Sequence, residues 1–213
     1  RLDEALVKRG YHSQLGLTPP LRELMMWRKQ QAKTLNVALP EGSREVRVEM
    51  LDDFVTPGWS SYGRCGRGST GGWVGEDRIY AVMPAYSAEN GEEKFRASLL
   101  AHETQHFTHQ ERFSNLQSWE LEYRAKLTEL WSASVTLPNL IESFTHSQSD
   151  DPDSPHTFAN KRVVAELSER LQAAHKLSGQ GLAGAPPDVV RAVAREALLA
   201  DTRKREAAAR GTR

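Results

Sequence analysis

Residues 90–107 read NGEEKFRASLLAHETQHF, and the predicted fold of this chain depends on this stretch more than on any other. Asn90 followed by Glu93 forms a capping box, which predicts that a helix begins here. His102 and His106 continue, at helical spacing, the apolar face that begins with Phe95 and Leu99. The sequence therefore predicts an amphipathic helix whose inward face carries two histidines.

His102, Glu103 and His106 form the pattern H-E-x-x-H. Residues four apart lie on the same face of a helix, so both imidazoles can reach one point. Imidazole nitrogen binds zinc at about 2.0–2.1 Å in tetrahedral sites. Glu103 stands beside the first ligand, where its carboxylate can act on a zinc-bound water. The alternative is an ordinary helix face, but a buried neutral histidine needs a polar partner. We therefore predict a Zn2+ site.

Composition is that of an ordinary soluble domain, with 213 residues, 38% hydrophobic and 26% charged. The 28 basic and 28 acidic residues give a net charge of zero, which provides no electrostatic footprint for nucleic acid. The sequence contains no run of eighteen apolar residues, so no membrane span is predicted. The chain begins at Arg1, so we expect a processed form, with any signal peptide removed if the protein is exported. The compartment and the oligomeric state cannot be predicted.

Cys65 is the single cysteine, so an internal disulfide is excluded. It lies in the glycine-rich segment SSYGRCGRGSTGG, which lacks the G-K-[ST] ending of a phosphate-binding loop. We therefore predict no nucleotide site in this segment, and the pattern leaves the role of Cys65 open.

The N-terminal half is predicted to contain both helices and strands. Leu2–Arg9 is predicted to form a short helix ended by Gly10, and Thr18 with Pro19 is predicted to start a helix through residues 21–35. Alternation of apolar and polar residues predicts a strand at 46–50. Two further strands are predicted at 73–74 and 79–83, and residues 52–72 are predicted to form a loop.

The C-terminal half is predicted to be largely helical. A second capping box at Ser114 predicts a helix over 115–136 that Pro138 stops. Ser154 and Pro155 predict the start of a helix that Gly179 ends. After a linker, Asp188 is predicted to open a last helix whose basic end beyond Arg203 frays.

A catalytic zinc site needs three protein ligands and one open position. The longer zincin pattern would require Gly at position 109 and His at position 112, where this chain has His109 and Arg112. A carboxylate from the following helix is therefore expected to be the third ligand. The candidates are Glu120, Glu122 and Glu129.

Residues 102–106 together with Glu122-Tyr123-Arg124-Ala125 resemble the gluzincin group of HExxH zinc metallopeptidases in the zincin superfamily. The resemblance covers about residues 78–133. In gluzincins the third ligand is a Glu on the second helix, often followed three positions later by a small residue, which favours Glu122 with Ala125. Relatives often carry Asp or Asn four residues after this Glu, where the present chain has Lys126.

The resemblance implies an α+β, zincin-like fold, in which a small and mostly antiparallel sheet packs on the HExxH helix and the C-terminal half is largely helical. We expect residues 1–178 to form the metallopeptidase domain. Residues 179–213 would form a linker and a C-terminal helix packed on the same domain.

The resemblance also implies a hydrolase, a zinc-dependent metallopeptidase that acts on a peptide or protein substrate. His102, His106 and Glu122 would bind the metal, and Glu103 would be the catalytic general base. The residue that stabilises the oxyanion stays open among Tyr86, His146 and His156. The alternative is a non-catalytic zinc-binding or protein-interaction module on the same fold. Glu103 argues against that alternative, because a structural zinc site has no need of a general base.

Overall fold

Long paired strands dominate the N-terminal half of the chain and helices the C-terminal half, so the α+β prediction is confirmed. The computed structural model describes residues 2–18, 21–65, 70–113, 115–174 and 181–211. The chain is about 56% helical and carries a mixed sheet. Among the described residues, none of the helices combines the length and apolar character needed to cross a bilayer.

Five strands form the sheet within the described residues, in the order β1-β2-β3-β5-β4. Their bounds are β1 His12–Thr18, β2 Leu21–Leu39, β3 Gly42–Thr56, β4 Gly72–Val74 and β5 Arg78–Val82. β1 is antiparallel to β2, and β4 is antiparallel to β5. β3 runs parallel to β5, with Val48 opposite Ile79. A two-residue turn at Pro40–Glu41 joins β2 to β3.

The helix predicted over residues 21–35 is wrong, because these residues belong to β2. The segment is rich in Leu, Met, Lys, Gln and Ala, which favour helices in isolation. Pairing with β1 and β3 overrides that preference, and buried Trp27 stacks on His12 of β1. Thr18 ends β1 instead of capping a helix, and Pro19 lies outside the described residues.

The other strand predictions agree with the sheet except at their edges. Residues 46–50 lie in β3, but this strand continues to Thr56 into the segment predicted as a loop, and a short helix follows (α2, Trp59–Gly63). Glu49, a polar residue of the alternating pattern at 46–50, is only 3% exposed. Arg47 and Arg78 compensate the buried charge at 2.7 and 3.1 Å.

The helix predicted over residues 90–107 is present and extends further. It consists of α3 (Gly91–Glu93), a π-helical segment (Lys94–Ala101) and α4 (His102–Arg112). The predicted capping box is wrong, because Asn90 has a left-handed φ of 60°. Glu93 instead accepts hydrogen bonds from the backbone N–H groups of residues 134–136. Its carboxylate thus stabilises the backbone just before a later helix.

Five further α-helices lie among the described residues. α1 (Leu2–Val7) precedes the sheet, and α5 (Ser118–Ser132), α6 (Leu137–His146), α7 (Pro155–Ala173) and α8 (Pro187–Gly211) come after α4. The predicted cap at Ser114 lies outside the described residues, and Gln117 with Glu120 forms the capping box of α5. Pro138 occupies the first turn of α6 and does not stop α5, which ends at Ser132. α8 is helical beyond Arg203, where fraying was predicted, and Gly179 lies outside the described residues.

The chain divides into two compact units, residues 1–35 with 45–91, and residues 36–44 with 92–213. In the second unit α5 is central, since α4, α7 and α8 all pack against it. Leu127 and Leu130 of α5 are fully buried in an apolar core with side chains of α6, α7 and α8. Burying each such leucine contributes about 1.5–3 kcal/mol. This core holds α5, and α4 packs against α5, so the two helices that carry the predicted site are adjacent.

Candidate metal centre

The two histidines and one glutamate of the sequence hypothesis lie together in the second unit. His102 and His106 lie in the first turns of α4, and Glu122 lies in the second turn of α5. Ala125, one turn beyond Glu122, is 0% exposed, and α4 packs against α5. The i, i+4 spacing on α4 and the packing of α4 on α5 together bring the three side chains to one place.

The donor atoms of these side chains converge. Nε2 of His102 is 3.4 Å from Oε2 of Glu122, and Nε2 of His106 is 3.4 Å from Oε1 of Glu122. Each of the three residues offers a ligand atom within 4.8 Å of the other two. All three side chains are nearly buried, at 10–13% exposure. The group could therefore hold a metal ion.

The separations and the unsatisfied atoms suit a small tetrahedral cation. Two ligand atoms at about 2.1 Å from a tetrahedral zinc are about 3.4 Å apart, which is the nitrogen–oxygen spacing found here. Within the described residues, Nδ1 of His102 and Oε2 of Glu122 are buried without an aligned hydrogen bond. Buried polar atoms rarely lack a partner, and a bound ion is one kind of partner that would satisfy the carboxylate oxygen.

The pKa of His102 and that of Glu122 on α5 depend on each other's charge. Burial alone would lower the pKa of His102, but the carboxylates of Glu122 and Glu129 outweigh burial and raise this pKa to about 10. Burial would raise the pKa of Glu122, but His102, His106 and His156 hold it far below the usual range. Both shifts favour the charged forms, an anionic carboxylate beside a protonated imidazole, and a bound cation would take the place of the imidazole proton.

The three candidate glutamates of α5 have different surroundings. Glu120 lies away from the histidines, because its carboxylate accepts hydrogen bonds from Arg205 and from the backbone N–H of Gln117. Glu122 faces both histidines. Glu129 reaches only Nδ1 of His102, with its Oε2 at 3.4 Å. Glu122 is thus the one of the three candidates that faces both histidines, and Glu129 lies on the Nδ1 side of His102.

Lys126, four residues after Glu122, stands where gluzincins often carry an acidic or amide residue. The Lys126 side chain is buried, and its ammonium lies 4.5 Å from the ring centre of Phe144. Burial lowers the pKa of Lys126, although Glu129 and Glu122 oppose the shift. The carboxylate behind the histidine comes from Glu129 instead. Its i+7 spacing from Glu122 on one helix face is the sequence signal for this role.

Of the three oxyanion candidates, only His156 adjoins this cluster within the second unit. It lies in the first turn of α7, its side chain is 67% exposed, and its Nδ1 is 2.9 Å from Oε2 of Glu122. His146 is exposed, with Nδ1 2.8 Å from the Glu142 carbonyl oxygen. Tyr86 belongs to the first unit, where its hydroxyl donates to the Gly71 carbonyl. Glu103 is half-buried beside His102.

A second buried polar group, which sequence reasoning missed, joins α4 to α5 at His109, about two turns beyond His102. Arg124 is 0% exposed, and its Nε donates to Nε2 of His109 at 2.9 Å. The same guanidinium donates to Asp201 and Thr202 of α8. Burial, together with the positive charge of Arg124, lowers the pKa of His109 to about 2. His109 is therefore neutral and engaged by Arg124, so its Nε2 is not free to bind a metal.

Comparisons of the chain with protein-family models, with curated proteins and with solved structures found no match. The resemblance to gluzincins therefore rests on the residues and distances given above. Cys65, the remaining residue of interest, is exposed, has a φ of 52° and belongs to the first unit.

Proposed function

We propose that this protein is a zinc-dependent metallopeptidase that hydrolyses a peptide bond in a peptide or protein substrate. The convergence of His102, His106 and Glu122 from two helices is the observation that carries the proposal. Two imidazoles and a carboxylate form the ligand set of several zinc peptidases, and three protein ligands leave one position for water or substrate. Glu103 adds a carboxylate immediately beside the first ligand.

In this proposal each residue of the site has one task. His102, His106 and Glu122 hold the ion, which when bound polarises the scissile carbonyl and lowers the pKa of its water toward about 7. Glu103 accepts the proton of the attacking water and passes it to the leaving amine. The near burial of the three ligands limits access of bulk solvent to them, which strengthens electrostatic interactions in the site.

Glu129 orients the first ligand. Its Oε2 lies 3.4 Å from Nδ1 of His102, close enough for a small shift to align a hydrogen bond. With the metal on Nε2, the proton of the neutral imidazole would be on Nδ1, beside this carboxylate. Carboxylates behind a ligand histidine also make that histidine a better donor. The side chain therefore acts through His102 and does not need to touch the substrate.

His156 is the proposed donor to the oxygen anion that forms during peptide hydrolysis. Its ring is largely exposed, and its Nδ1 lies 2.9 Å from Oε2 of Glu122. The imidazole is therefore accessible to a substrate while it adjoins a proposed metal ligand. A hydrogen-bond donor aimed at the developing negative charge typically increases the reaction rate by a factor of about 100–1000.

The test of the function is peptide cleavage that depends on zinc. Purified protein is stripped with a chelator, reloaded with one equivalent of zinc and incubated with a peptide library, and products are read by mass spectrometry. We expect new peptide termini only from the zinc-loaded protein, and their loss on adding 1,10-phenanthroline. Zinc bound at one per chain without any cleavage would contradict the peptidase and favour a non-catalytic zinc-binding module.

A further inference from the structure

A second candidate binding site in the described residues is a cavity of about 520 Å³ in the second unit. Its wall combines the end of β2, the π-helical segment, the end of α5 and the start of α8. Cavities of about 300–1,000 Å³ are typical of ligand sites. The three proposed metal ligands do not line it, so it is a separate feature of the molecule.

Positive charge predominates on the cavity wall. Arg96, Arg191 and Arg195 line it, and Asp188 is the acidic lining residue among those described. Arg191 and Arg195 lie one turn apart on the same face of α8. In the part of the chain that the structure describes, neither forms an ion pair with a carboxylate, although Nε of Arg195 donates to the Pro40 carbonyl at 3.3 Å. Two guanidinium groups are therefore available to an incoming anion.

On one side, the end of strand β2 has no strand partner at the same place, within the described residues. β1 pairs with β2 only over residues 21–27, and β3 lies on the opposite side of β2. Asn36, Val37 and Ala38 of β2 line the cavity, and among the described residues no strand covers this edge there. A free strand edge is a template for backbone pairing with an extended peptide.

Apolar groups complete the wall. Trp131 at the end of α5 is half-buried, and Leu100 of the π-helical segment lies on the same cavity. Side chains of an added strand point alternately to its two faces, so one set can rest on these apolar groups. A small inorganic anion would use the arginines but neither the strand edge nor the tryptophan.

We propose that this cavity docks an acidic peptide segment in extended conformation. The backbone of the segment pairs with residues 36–38, its carboxylates pair with Arg191 and Arg195, and its apolar side chains pack on Trp131. This occupant fits because its carboxylates complement Arg191 and Arg195, and because its backbone can pair with residues 36–38 of β2. Because the cavity is formed without the metal-binding residues, docking does not depend on the proposed metallopeptidase activity.

Binding of a labelled peptide tests the proposal. The probe is a fluorescein-labelled octapeptide of alternating glutamate and valine, and the protein is the full chain carrying Glu103→Gln, so that cleavage cannot interfere. Fluorescence anisotropy measures the dissociation constant. We expect saturable binding, and at least a tenfold weaker affinity for the double variant Arg191→Gln with Arg195→Gln. The matched control is Arg210→Gln, an exposed arginine of the same helix outside the cavity, which should bind as the parent does.

Two probe peptides separate charge from strand pairing. The lysine–valine octapeptide should not bind, and a glutamate–valine peptide N-methylated at alternate residues should bind at least fivefold more weakly. Equal binding by the parent and the double arginine variant would overturn the proposal, provided both unfold at the same temperature. Unchanged binding of the N-methylated peptide would also overturn it. So would millimolar phosphate that competes as effectively as the unlabelled peptide does. Self-association of the protein that buries these arginines would likewise overturn it.

Discussion

Glu129 lies about two helical turns beyond Glu122 on α5, and its Oε2 is 3.4 Å from Nδ1 of His102. Glu122 faces Nε2 of the same ring at 3.4 Å. One histidine is thus held between two carboxylates of a single helix. This arrangement distinguishes the ring nitrogen that would bind metal from the one that would carry the proton.

Glu129→Gln should weaken zinc binding by a factor of about 10–100, because residues behind a ligand histidine typically contribute that much. Glu122→Ala should lose more, since it removes a proposed ligand. The matched control is Glu120→Gln on the same helix, whose carboxylate binds Arg205 instead. Competition with a fluorescent zinc chelator measures the affinities. Equal losses in the Glu129 and Glu120 variants would contradict the assigned role of Glu129.

His156→Ala should lower kcat by about 100-fold if its imidazole stabilises the oxyanion. Zinc affinity should change less than in Glu129→Gln, because His156 adjoins the carboxylate of Glu122 and is not itself a proposed ligand. His146→Ala is the control, since that ring lies at the end of α6 beside the Glu142 carbonyl. Steady-state cleavage of a peptide found in the library assay provides the readout. Unchanged kcat in His156→Ala would exclude it as the donor.

Arg124→Met should reduce the free energy of unfolding by about 3–5 kcal/mol, because it leaves buried partners of the guanidinium uncompensated. Arg124 is fully buried and is bound to Asp201, Thr202 and His109. The half-exposed pair of Arg170 with Glu166 provides the control, and Arg170→Met should cost less than about 1 kcal/mol. Urea unfolding followed by circular dichroism measures both. Similar losses in the two variants would show that the buried group does not hold α4, α5 and α8 together.

Glu93 makes a pH-dependent contribution to stability. Burial would raise its pKa, but hydrogen bonds from Thr136, Ser134 and Val135 lower it from 4.5 to about 2. A lowered folded-state pKa means that the contribution is complete above about pH 4.5 and is lost as the pH falls toward 2. Glu93→Gln should therefore cost about 1–2 kcal/mol at pH 7, and the difference from the parent should shrink between pH 4.5 and 2.

Glu92→Gln is the control for this titration, because Glu92 is the exposed neighbour in the same helical turn. Urea unfolding at pH 7, 5 and 3 gives the comparison. A constant difference between parent and Glu93→Gln over this range would mean that the carboxylate charge does not stabilise residues 134–136.

The sequence was sufficient where the relevant geometry is local. His102 and His106 lie on one helix, so their spacing alone predicts that they face one point, and the glutamate that faces both was among the three candidates. Glu129 and His156 could not be placed, because their positions depend on how α5 and α7 pack against their neighbours. Helical periodicity likewise does not predict that Arg124 joins α4, α5 and α8.

The largest error concerned residues 21–35. Their side chains favour a helix, yet the segment forms a strand because β1 and β3 pair with its two sides. Nonlocal backbone hydrogen bonds decided between two conformations that local propensity ranks in the opposite order. The local spacing of Asn90 and Glu93 also gave a wrong prediction, a capping box. The Glu93 carboxylate instead binds a backbone segment some forty residues away.

Turnover by the parent and by Glu103→Gln, each with one zinc per chain confirmed by metal analysis, tests the central claim most directly. Glu103 is proposed to move the proton and not to bind the metal, so the variant should keep its zinc and its unfolding temperature. Peptide cleavage by the variant should fall by at least about 100-fold, within the range for loss of a general base. Zinc-dependent cleavage that is equal in the two proteins, or the absence of bound zinc from the parent, would contradict the proposed metallopeptidase.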